Sequence, residues 1–157
     1  MAISTAYLRT IFYPDVFPRT IEKTLGAARM LKEEYGYDTI AFCGMSGAAM
    51  AFILAYELEV HLLCVRKGTD DSHFHDVSRG RMLEGNVDTK KYLIVDDFIS
   101  SGRTVNYIMD SIQANSSHAE CVAMLMYAAP SFASQSYTRE SNGTTWKVVI
   151  SRPEGDF

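Results

Sequence analysis

Apolar residues form two patterns along the chain: some recur at helical spacing, and others form short uninterrupted runs. Stretches of the two kinds alternate. Helical spacing begins at Pro18, which can open a helix, and stops at Gly36, which can close one. It returns after the glycine turn at residues 44–47 and again from residue 105. The repeating apolar positions are Ile21, Leu25, Ala28 and Leu31; Ala51, Leu54, Ala55 and Leu58; and Val105, Ile108, Met109 and Ile112. They predict three helices, each with an apolar face.

Short continuous apolar runs lie between these helices and predict strands. The runs cover residues 39–43, 60–65, 92–95 and 121–126, and a late run covers residues 146–150. Strand and helix alternate from residue 18 to residue 126, and such alternation favours right-handed crossovers and a mainly parallel sheet with helices on both faces. The predicted fold class is therefore α/β with a central parallel sheet.

Residues 67–90 interrupt this alternation with mixed charge and little apolar periodicity. Long irregular segments are uncommon inside compact domains, and those that occur are usually functional. We therefore expect a flexible loop over a ligand site, and the alternative interpretation is a disordered insertion.

Composition indicates one soluble globular domain over residues 1–157, since 47% of the residues are hydrophobic and 22% are charged. Fifteen Lys and Arg against nineteen Asp and Glu give a net charge of -4, which argues against a nucleic-acid partner. The longest uncharged run, residues 39–56, contains Gly44 and Gly47. We expect a strand, a turn and a helix there rather than a membrane span, and no membrane partner.

The three cysteines are odd in number and lie in apolar runs: Cys43, Cys64 and Cys121. This pattern predicts reduced core thiols and not a disulfide framework. The first residues lack a basic start followed by a long apolar stretch. Together these features lead us to expect a cytoplasmic protein.

Ligands of open parallel sheets bind at the carboxyl ends of the strands, and three predicted strand ends carry unusual residues. Two adjacent carboxylates, Asp96 and Asp97, follow one apolar strand, where they are costly unless they serve a hydroxyl-rich or cationic ligand. The helix start that follows offers hydroxyls and backbone N–H groups to an anion. The combination indicates a sugar phosphate, and the alternative is that Asp97 and Ser101 only cap a helix. The other two ends hold Gly44, Met45, Ser46 and Gly47, and Arg66 and Lys67.

The run over residues 93–104, LIVDDFISSGRT, resembles the phosphoribosyl pyrophosphate (PRPP) signature of type I phosphoribosyltransferases. Both have an apolar strand, two acids, two apolar residues and a small hydroxyl-rich loop with Gly and Thr. The resemblance covers residues 37–126 in order and spacing. It implies a Rossmann-like core over about residues 18–126, with a small hood formed by residues 1–17 and 128–157.

The resemblance also implies a role for each strand end. Asp96 and Asp97 would be catalytic residues that hold the ribose hydroxyls, and backbone amides of the loop at residues 44–47 would bind pyrophosphate. Arg66 and Lys67 would neutralise the pyrophosphate together with substrate-bound Mg2+, Lys67 as a catalytic residue. The loop from residue 67 to residue 88 would close over the site and supply Arg79 or Arg81. The 5-phosphate would be held by Ser100, Ser101, Gly102, Arg103 and Thr104.

The implied reaction is Mg2+-dependent transfer of ribose 5-phosphate from PRPP to a nitrogenous base, giving a nucleoside monophosphate and pyrophosphate in nucleotide salvage or synthesis. The resemblance implies a homodimer. Ser100 stands where the branch acting on 6-oxopurines has an acid, so we expect an orotate-like base before hypoxanthine or guanine. An aromatic residue of the hood would stack on the base. The candidates are Tyr7, Phe12, Tyr13, Phe132, Tyr137 and Trp146.

Three other interpretations compete with this one. The first is a non-catalytic regulatory protein on the same fold that binds PRPP or a nucleotide. In the second, residues 44–48 form a hydrolase nucleophile elbow in which Ser46 acts with Asp96 and His118. The third is a metal site within the long loop. Its ligands would come from Asp70, Asp71, His73, His75 and Asp76.

Overall fold

The computed structural model of the chain describes residues 11, 13–67 and 83–153. These residues contain three complete helices and seven strands, which alternate along most of the chain. The helices are α1 (Phe17–Tyr35), α2 (Gly44–Leu58) and α3 (Arg103–Asn115). The strands are β1 (Thr39–Phe42), β2 (His61–Val65), β3 (Leu83–Gly85), β4 (Lys91–Asp96), β5 (Glu120–Met126), β6 (Ser136–Thr138) and β7 (Thr145–Ile150).

The strands form one sheet in the order β3-β2-β1-β4-β5-β7-β6. The five inner strands are parallel to one another, and β3 and β6 pair antiparallel at the two edges. The register places Ile40 of β1 between Leu62 of β2 and Leu93 of β4. The predicted α/β class with a mainly parallel sheet is confirmed.

Side chains alternate along each strand, so the strands present apolar residues on both faces of the sheet, and helices cover both faces. On β4, Leu93 and Val95 belong to the buried cluster that includes residues of α1 and α2. Tyr92 and Ile94 belong to the opposite cluster, which includes residues of α3. The two clusters bury both faces of the sheet. Because β1, β2, β4 and β5 run parallel, their carboxyl ends lie together at one end of the sheet.

The ends of α1 match the sequence signals that predicted them. Pro18 lies in the first turn, where a missing N–H costs nothing. Gly36 ends the helix with φ +68°, and its N–H donates to the Lys32 carbonyl at 2.8 Å. The predicted strands are found within one residue of their predicted bounds.

Two short strands were not predicted. Within the excursion predicted at residues 67–90, β3 pairs antiparallel with β2, although it has one half-buried apolar residue, Leu83. In the tail, β6 pairs with β7, and β7 itself lies beside β5 in the central sheet. The sheet thus continues beyond residue 126, where the predicted core ended.

The cysteines are free, as predicted. Cys43 and Cys121 are buried and Cys64 is half-buried. Among the described residues, no helix is long and apolar enough to cross a bilayer.

Candidate functional site

The carboxylate pair lies where β4 ends, with Asp96 as the last strand residue and Asp97 directly after it. Both are buried, with 5% and 7% of their surface exposed. Asp96 Oδ1 accepts hydrogen bonds from Ser46 Oγ at 3.0 Å and from the Asp97 N–H at 2.9 Å. Asp97 Oδ1 accepts one from the Phe98 N–H at 2.8 Å. No Lys, Arg or His of the described residues forms an ion pair with either acid.

The burial of two adjacent acids, with no ion pair to any described cation, has an electrostatic consequence. Burial, and then the neighbouring charge of Asp97, raises the pKa of Asp96 from 3.8 to about 7, although hydrogen bonds from the Asp97 N–H and from Ser46 oppose the shift. A buried carboxylate in this state gains from any ligand that donates hydroxyl protons to it or brings positive charge. The pair therefore suits a diol or a cation-bearing ligand.

The loop between β1 and α2 approaches the end of β4 closely. A Cβ atom on Gly47 would lie 3.0 Å from Phe42 Cβ and 3.1 Å from the Val95 carbonyl oxygen. Gly44, with φ +78°, opens α2, and a Cβ there would lie 3.7 Å from Lys67 Nζ. The glycines allow the start of α2 to sit against the carboxylate strand, with the Lys67 ammonium beside it.

The loop at residues 100–104 leads into α3 through Gly102, which has φ +82°. The N-cap residue of this helix, Gly102, has no side chain that could cap it, and the Arg103 N–H donates a 3.3 Å hydrogen bond to Ser101 Oγ. The first N–H groups of a helix have no partner within the helix, and they carry the positive end of its dipole. This helix start can therefore bind an anion next to the carboxylates.

Tyr137 of β6 supports that loop from behind. A Cβ on Gly102 would overlap the Tyr137 hydroxyl and come within 2.8 Å of its ring carbon Cζ. The hydroxyl donates to Asn106 Oδ1 at 2.8 Å. Only glycine fits at residue 102, because the position combines a left-handed conformation with a close side-chain contact.

These parts surround a cleft of about 220 Å3. A neighbouring cleft of about 410 Å3 shares Lys67 with it. The predicted site residues in the first cleft are Ser46, Lys67, Asp96, Asp97, Ser100, Ser101, Gly102, Arg103 and Thr104. Those in the second are Gly44, Met45, Arg66 and Lys67.

Four predicted site residues are not placed at these clefts as expected, or not placed at all. Gly47 lines neither cleft, because it is buried in the first turn of α2 against Phe42 and the Val95 carbonyl. Arg66 lines the second cleft, but its Nε pairs with Glu84 Oε1 of β3 at 3.0 Å. Arg79 and Arg81 lie outside the described residues.

A family model described as a phosphoribosyl transferase domain matches residues 21–155 of the chain. The chain belongs to the phosphoribosyl transferase family. Comparison with curated protein sequences gives no match.

Solved structures of this family share the fold at low sequence identity. Orotate phosphoribosyltransferase from Aeropyrum pernix has a TM-score of 0.57 and 15% identity, and the alignment covers 80% of this chain and 66% of that one. The orotate phosphoribosyltransferase of Francisella tularensis has a TM-score of 0.56 and 12% identity, with coverages of 85% and 60%. Adenine phosphoribosyltransferase from Saccharomyces cerevisiae, crystallised with adenine, has a TM-score of 0.57 and 19% identity, with coverages of 75% and 71%.

The chain thus spans two thirds or less of the length of these two orotate phosphoribosyltransferases. The likeness shows that the chain has the type I phosphoribosyltransferase fold.

The hydrolase interpretation of this phosphoribosyl transferase domain is wrong. Ser46 follows the carboxyl end of β1, whereas His118 precedes β5 and so lies at the opposite end of the parallel sheet. The Ser46 hydroxyl donates to Asp96, and the His118 ring nitrogens face Ser116 Oγ. The loop residues of the metal interpretation lie outside the described residues, and within residues 11, 13–67 and 83–153 there is no cluster of three metal-ligating side chains.

The aromatic candidates for base stacking differ in how accessible they are. Tyr137 and Trp146 stack on each other with ring centres 6.3 Å apart, and Trp146 Nε1 donates to the Cys121 carbonyl. Phe132, in the segment after β5, is 89% exposed, and Tyr13 is 43% exposed. The other two candidates, Tyr7 and Phe12, lie outside the described residues.

One contact at the site was missed from the sequence. The Tyr127 hydroxyl donates to the Ser46 carbonyl at 2.5 Å. Tyr127 directly follows an apolar strand and looks like one more core residue, so the only available signal was a hydroxyl at a strand end.

Proposed function

We propose that this protein binds PRPP in the cleft and transfers its phosphoribosyl group to a nitrogenous base, with release of pyrophosphate. The observation that carries the proposal is a buried carboxylate pair, without a described counter-ion, directly beside an uncapped helix start. A ribose diol with a 5-phosphate meets both demands with one molecule.

Each part of PRPP then has a partner in the proposed binding mode. Asp96 and Asp97 accept hydrogen bonds from the ribose hydroxyls, and the loop at residues 100–104 binds the 5-phosphate. The start of α2 offers backbone N–H groups to the pyrophosphate. Lys67, which lines both clefts, adds positive charge to the same group.

The acid residues present are compatible with substrate-bound Mg2+, since Asp96 and Asp97 bring oxygen donors and negative charge to the cleft. The ion would neutralise the charge that develops on departing pyrophosphate. In this proposal the metal enters the cleft bound to PRPP, and Asp96 and Asp97 hold the ribose hydroxyls.

In the proposed reaction a ring nitrogen of the base forms a bond to C1 of the ribose as the bond from C1 to the pyrophosphate oxygen breaks. The electron pair of the broken bond leaves with pyrophosphate, and the proton that the ring nitrogen carried passes to pyrophosphate or to solvent. The transition state has oxocarbenium character, so the buried carboxylates stabilise positive charge on the sugar. The protein contributes chiefly by holding the reactants in line.

For the acceptor we propose an orotate-like base. Ser100, at the entrance to the phosphate loop, offers a hydroxyl where an acid would suit a 6-oxopurine. Phe132 is the most exposed of the described aromatic candidates, and its free face supports a role in stacking on the base.

We also propose a homodimer. Phe52 and Tyr56 project from α2 with 57% and 82% of their surface exposed, and large exposed apolar side chains on one helix favour a protein contact. Light scattering at micromolar protein should give twice the chain mass, and a monomer there contradicts this proposal.

The test is a transfer assay with the full chain, PRPP and Mg2+, using pooled purine, pyrimidine and pyridine bases and identifying nucleotides by mass. A new nucleotide supports the proposal and names the base. Asp97→Asn should lower turnover at least about tenfold, because it removes the negative charge that stabilises the ribosyl cation. Asp38→Asn is the control, since Asp38 precedes β1 at the opposite end of the sheet.

Two negative results have different meanings. If no nucleotide forms but PRPP raises the melting temperature, the protein is a non-catalytic PRPP-binding protein. If neither effect is seen, the proposed PRPP site is wrong.

A further inference from the structure

Tyr127 connects two parts of the site that are distant in sequence. The residue directly follows β5 and is completely buried, with 0% of its surface exposed. Its hydroxyl donates to the backbone carbonyl of Ser46, in the first turn of α2, at 2.5 Å. Its N–H donates to the backbone carbonyl of Asp96 at 3.2 Å. One residue thus contacts both the first turn of α2 and the end of β4.

Ser46 closes the connection with its own side chain, because its Oγ donates to Asp96 Oδ1 at 3.0 Å. Tyr127, Ser46 and Asp96 therefore form a ring of hydrogen bonds, which we name the Tyr127–Ser46–Asp96 ring. It joins the segment proposed to bind pyrophosphate to a carboxylate proposed to bind ribose.

The hydroxyl of Tyr127 is not needed to fill the core. A phenylalanine at this position would make the same apolar contacts with the buried cluster that contains Leu125 and Tyr127. A buried tyrosine hydroxyl must find a partner, and here the partner is a carbonyl at the mouth of the cleft. The bond therefore fixes the position of the loop rather than the packing of the sheet.

We propose that Tyr127 is a positioning residue that sets the spacing between the pyrophosphate loop at residues 44–47 and the carboxylate of Asp96. This inference rests on the proposed function. PRPP carries its pyrophosphate and its ribose hydroxyls in one molecule, so it must contact both segments at once. A small change in their spacing weakens such a ligand, and displacements near 1 Å can cost about 100-fold in rate.

Loss of the Tyr127 hydroxyl should affect a ligand that contacts both segments more than a ligand that contacts only one of them. Ribose 5-phosphate contacts Asp96, Asp97 and the phosphate loop but has no pyrophosphate. We expect Tyr127→Phe to weaken PRPP binding about tenfold and to change ribose 5-phosphate binding less than twofold. The measurement is the dissociation constant of each compound with Mg2+, by calorimetry.

Tyr37→Phe is a matched control. Tyr37 is also buried, and its hydroxyl donates to a helical carbonyl, that of Ala28, at 2.6 Å, but it precedes β1 at the opposite end of the sheet. Both variants lose one buried bond from tyrosine to a carbonyl. Tyr37→Phe should lower the melting temperature by a similar amount and leave both dissociation constants unchanged.

The result that overturns the proposal is a Tyr127→Phe protein that binds PRPP as tightly as the wild type, or one that loses both ligands equally. If Tyr127→Phe does not fold, Ser46→Ala removes another bond of the same ring without touching the core. The same selective loss of PRPP is then expected, and unchanged PRPP binding overturns the proposal. A wild-type protein that binds no PRPP would refute the proposed function itself, and with it the inference.

Discussion

Asp96→Asn should make the protein more stable, and by an amount that depends on pH. Asparagine keeps the size of the side chain and an Oδ1 atom that can still accept from Ser46 and from the Asp97 N–H. What it removes is the charge that is buried beside Asp97 without a described cation. The perturbation therefore isolates the electrostatic cost of the site.

The size of the effect follows from the raised pKa of Asp96, about 7 in the folded chain against 3.8 for the ordinary group. Between these two values the folded state binds more protons than the unfolded state, so stability falls as pH rises. By the linkage relation, ionisation of Asp96 alone costs the wild type about 4 kcal/mol between strongly acidic pH and pH 8. Asp96→Asn should recover most of that at pH 8 and less than about 1 kcal/mol at pH 4.

The assay is urea unfolding of both proteins at pH 4 and pH 8 without PRPP. Asp38→Asn is a control of opposite sign: burial by itself would raise the pKa of Asp38, but hydrogen bonds from Thr39, Thr89 and the Lys90 N–H outweigh it and lower that pKa. This acid stabilises the fold above its unfolded pKa and loses that contribution as pH falls. Asp38→Asn should therefore be destabilised at pH 8.

The refuting result is a wild type and an Asp96→Asn variant whose unfolding free energies run parallel from pH 4 to pH 8. Asp96 would then carry no buried charge in need of a ligand, and the electrostatic argument for a diol or cation at this position would fail.

Three further outcomes test other parts of the site. Gly102→Ala and Gly143→Ala should each lose about 1–2 kcal/mol of unfolding free energy, because both glycines have positive φ. Only the methyl group added at residue 102 would overlap Tyr137. Gly102→Ala should therefore unfold at a lower urea concentration than Gly143→Ala and bind PRPP at least about tenfold more weakly than the wild type. Phe132→Ala should raise the KM of the base and leave the KM of PRPP and the melting temperature unchanged, since the side chain is almost fully exposed; an equal rise in both constants contradicts a stacking role. Chelation of Mg2+ should abolish nucleotide formation and excess Mg2+ should restore it, whereas undiminished turnover would remove the ion from the mechanism.

The core and the main site could be predicted because their signals are local. Apolar positions at helical spacing defined α1 and α3, and the apolar run before Asp96 placed a strand end within one residue of the observed one. In a parallel sheet a strand end is already a position in space, so the acids, the glycines and Lys67 could be brought to one edge on the sequence alone.

The missed features depend on contacts between distant segments. β3 has one half-buried apolar residue, and it is held by its pairing with β2. In that pairing Gly85 lies so close to the Leu62 carbonyl that a Cβ would overlap the oxygen. Three residues are too few to show a period, so β6 gave no signal although Tyr137 within it supports Gly102. The ion pair of Arg66 with Glu84 depends on β3, which contains Glu84, so it could not be predicted without that strand.

The antiparallel pair of β2 and β3 has a consequence for how this protein can be altered. Val65 and Leu83 are partners in the ladder, so two residues that are 18 apart in sequence are adjacent in the sheet. The entropy of closing the segment between two such residues grows only with the logarithm of its length, and doubling the length costs about 0.6 kcal/mol. Longer segments or segments from other family members can therefore be grafted between Lys67 and Leu83, with little effect on the stability of the sheet that carries the site.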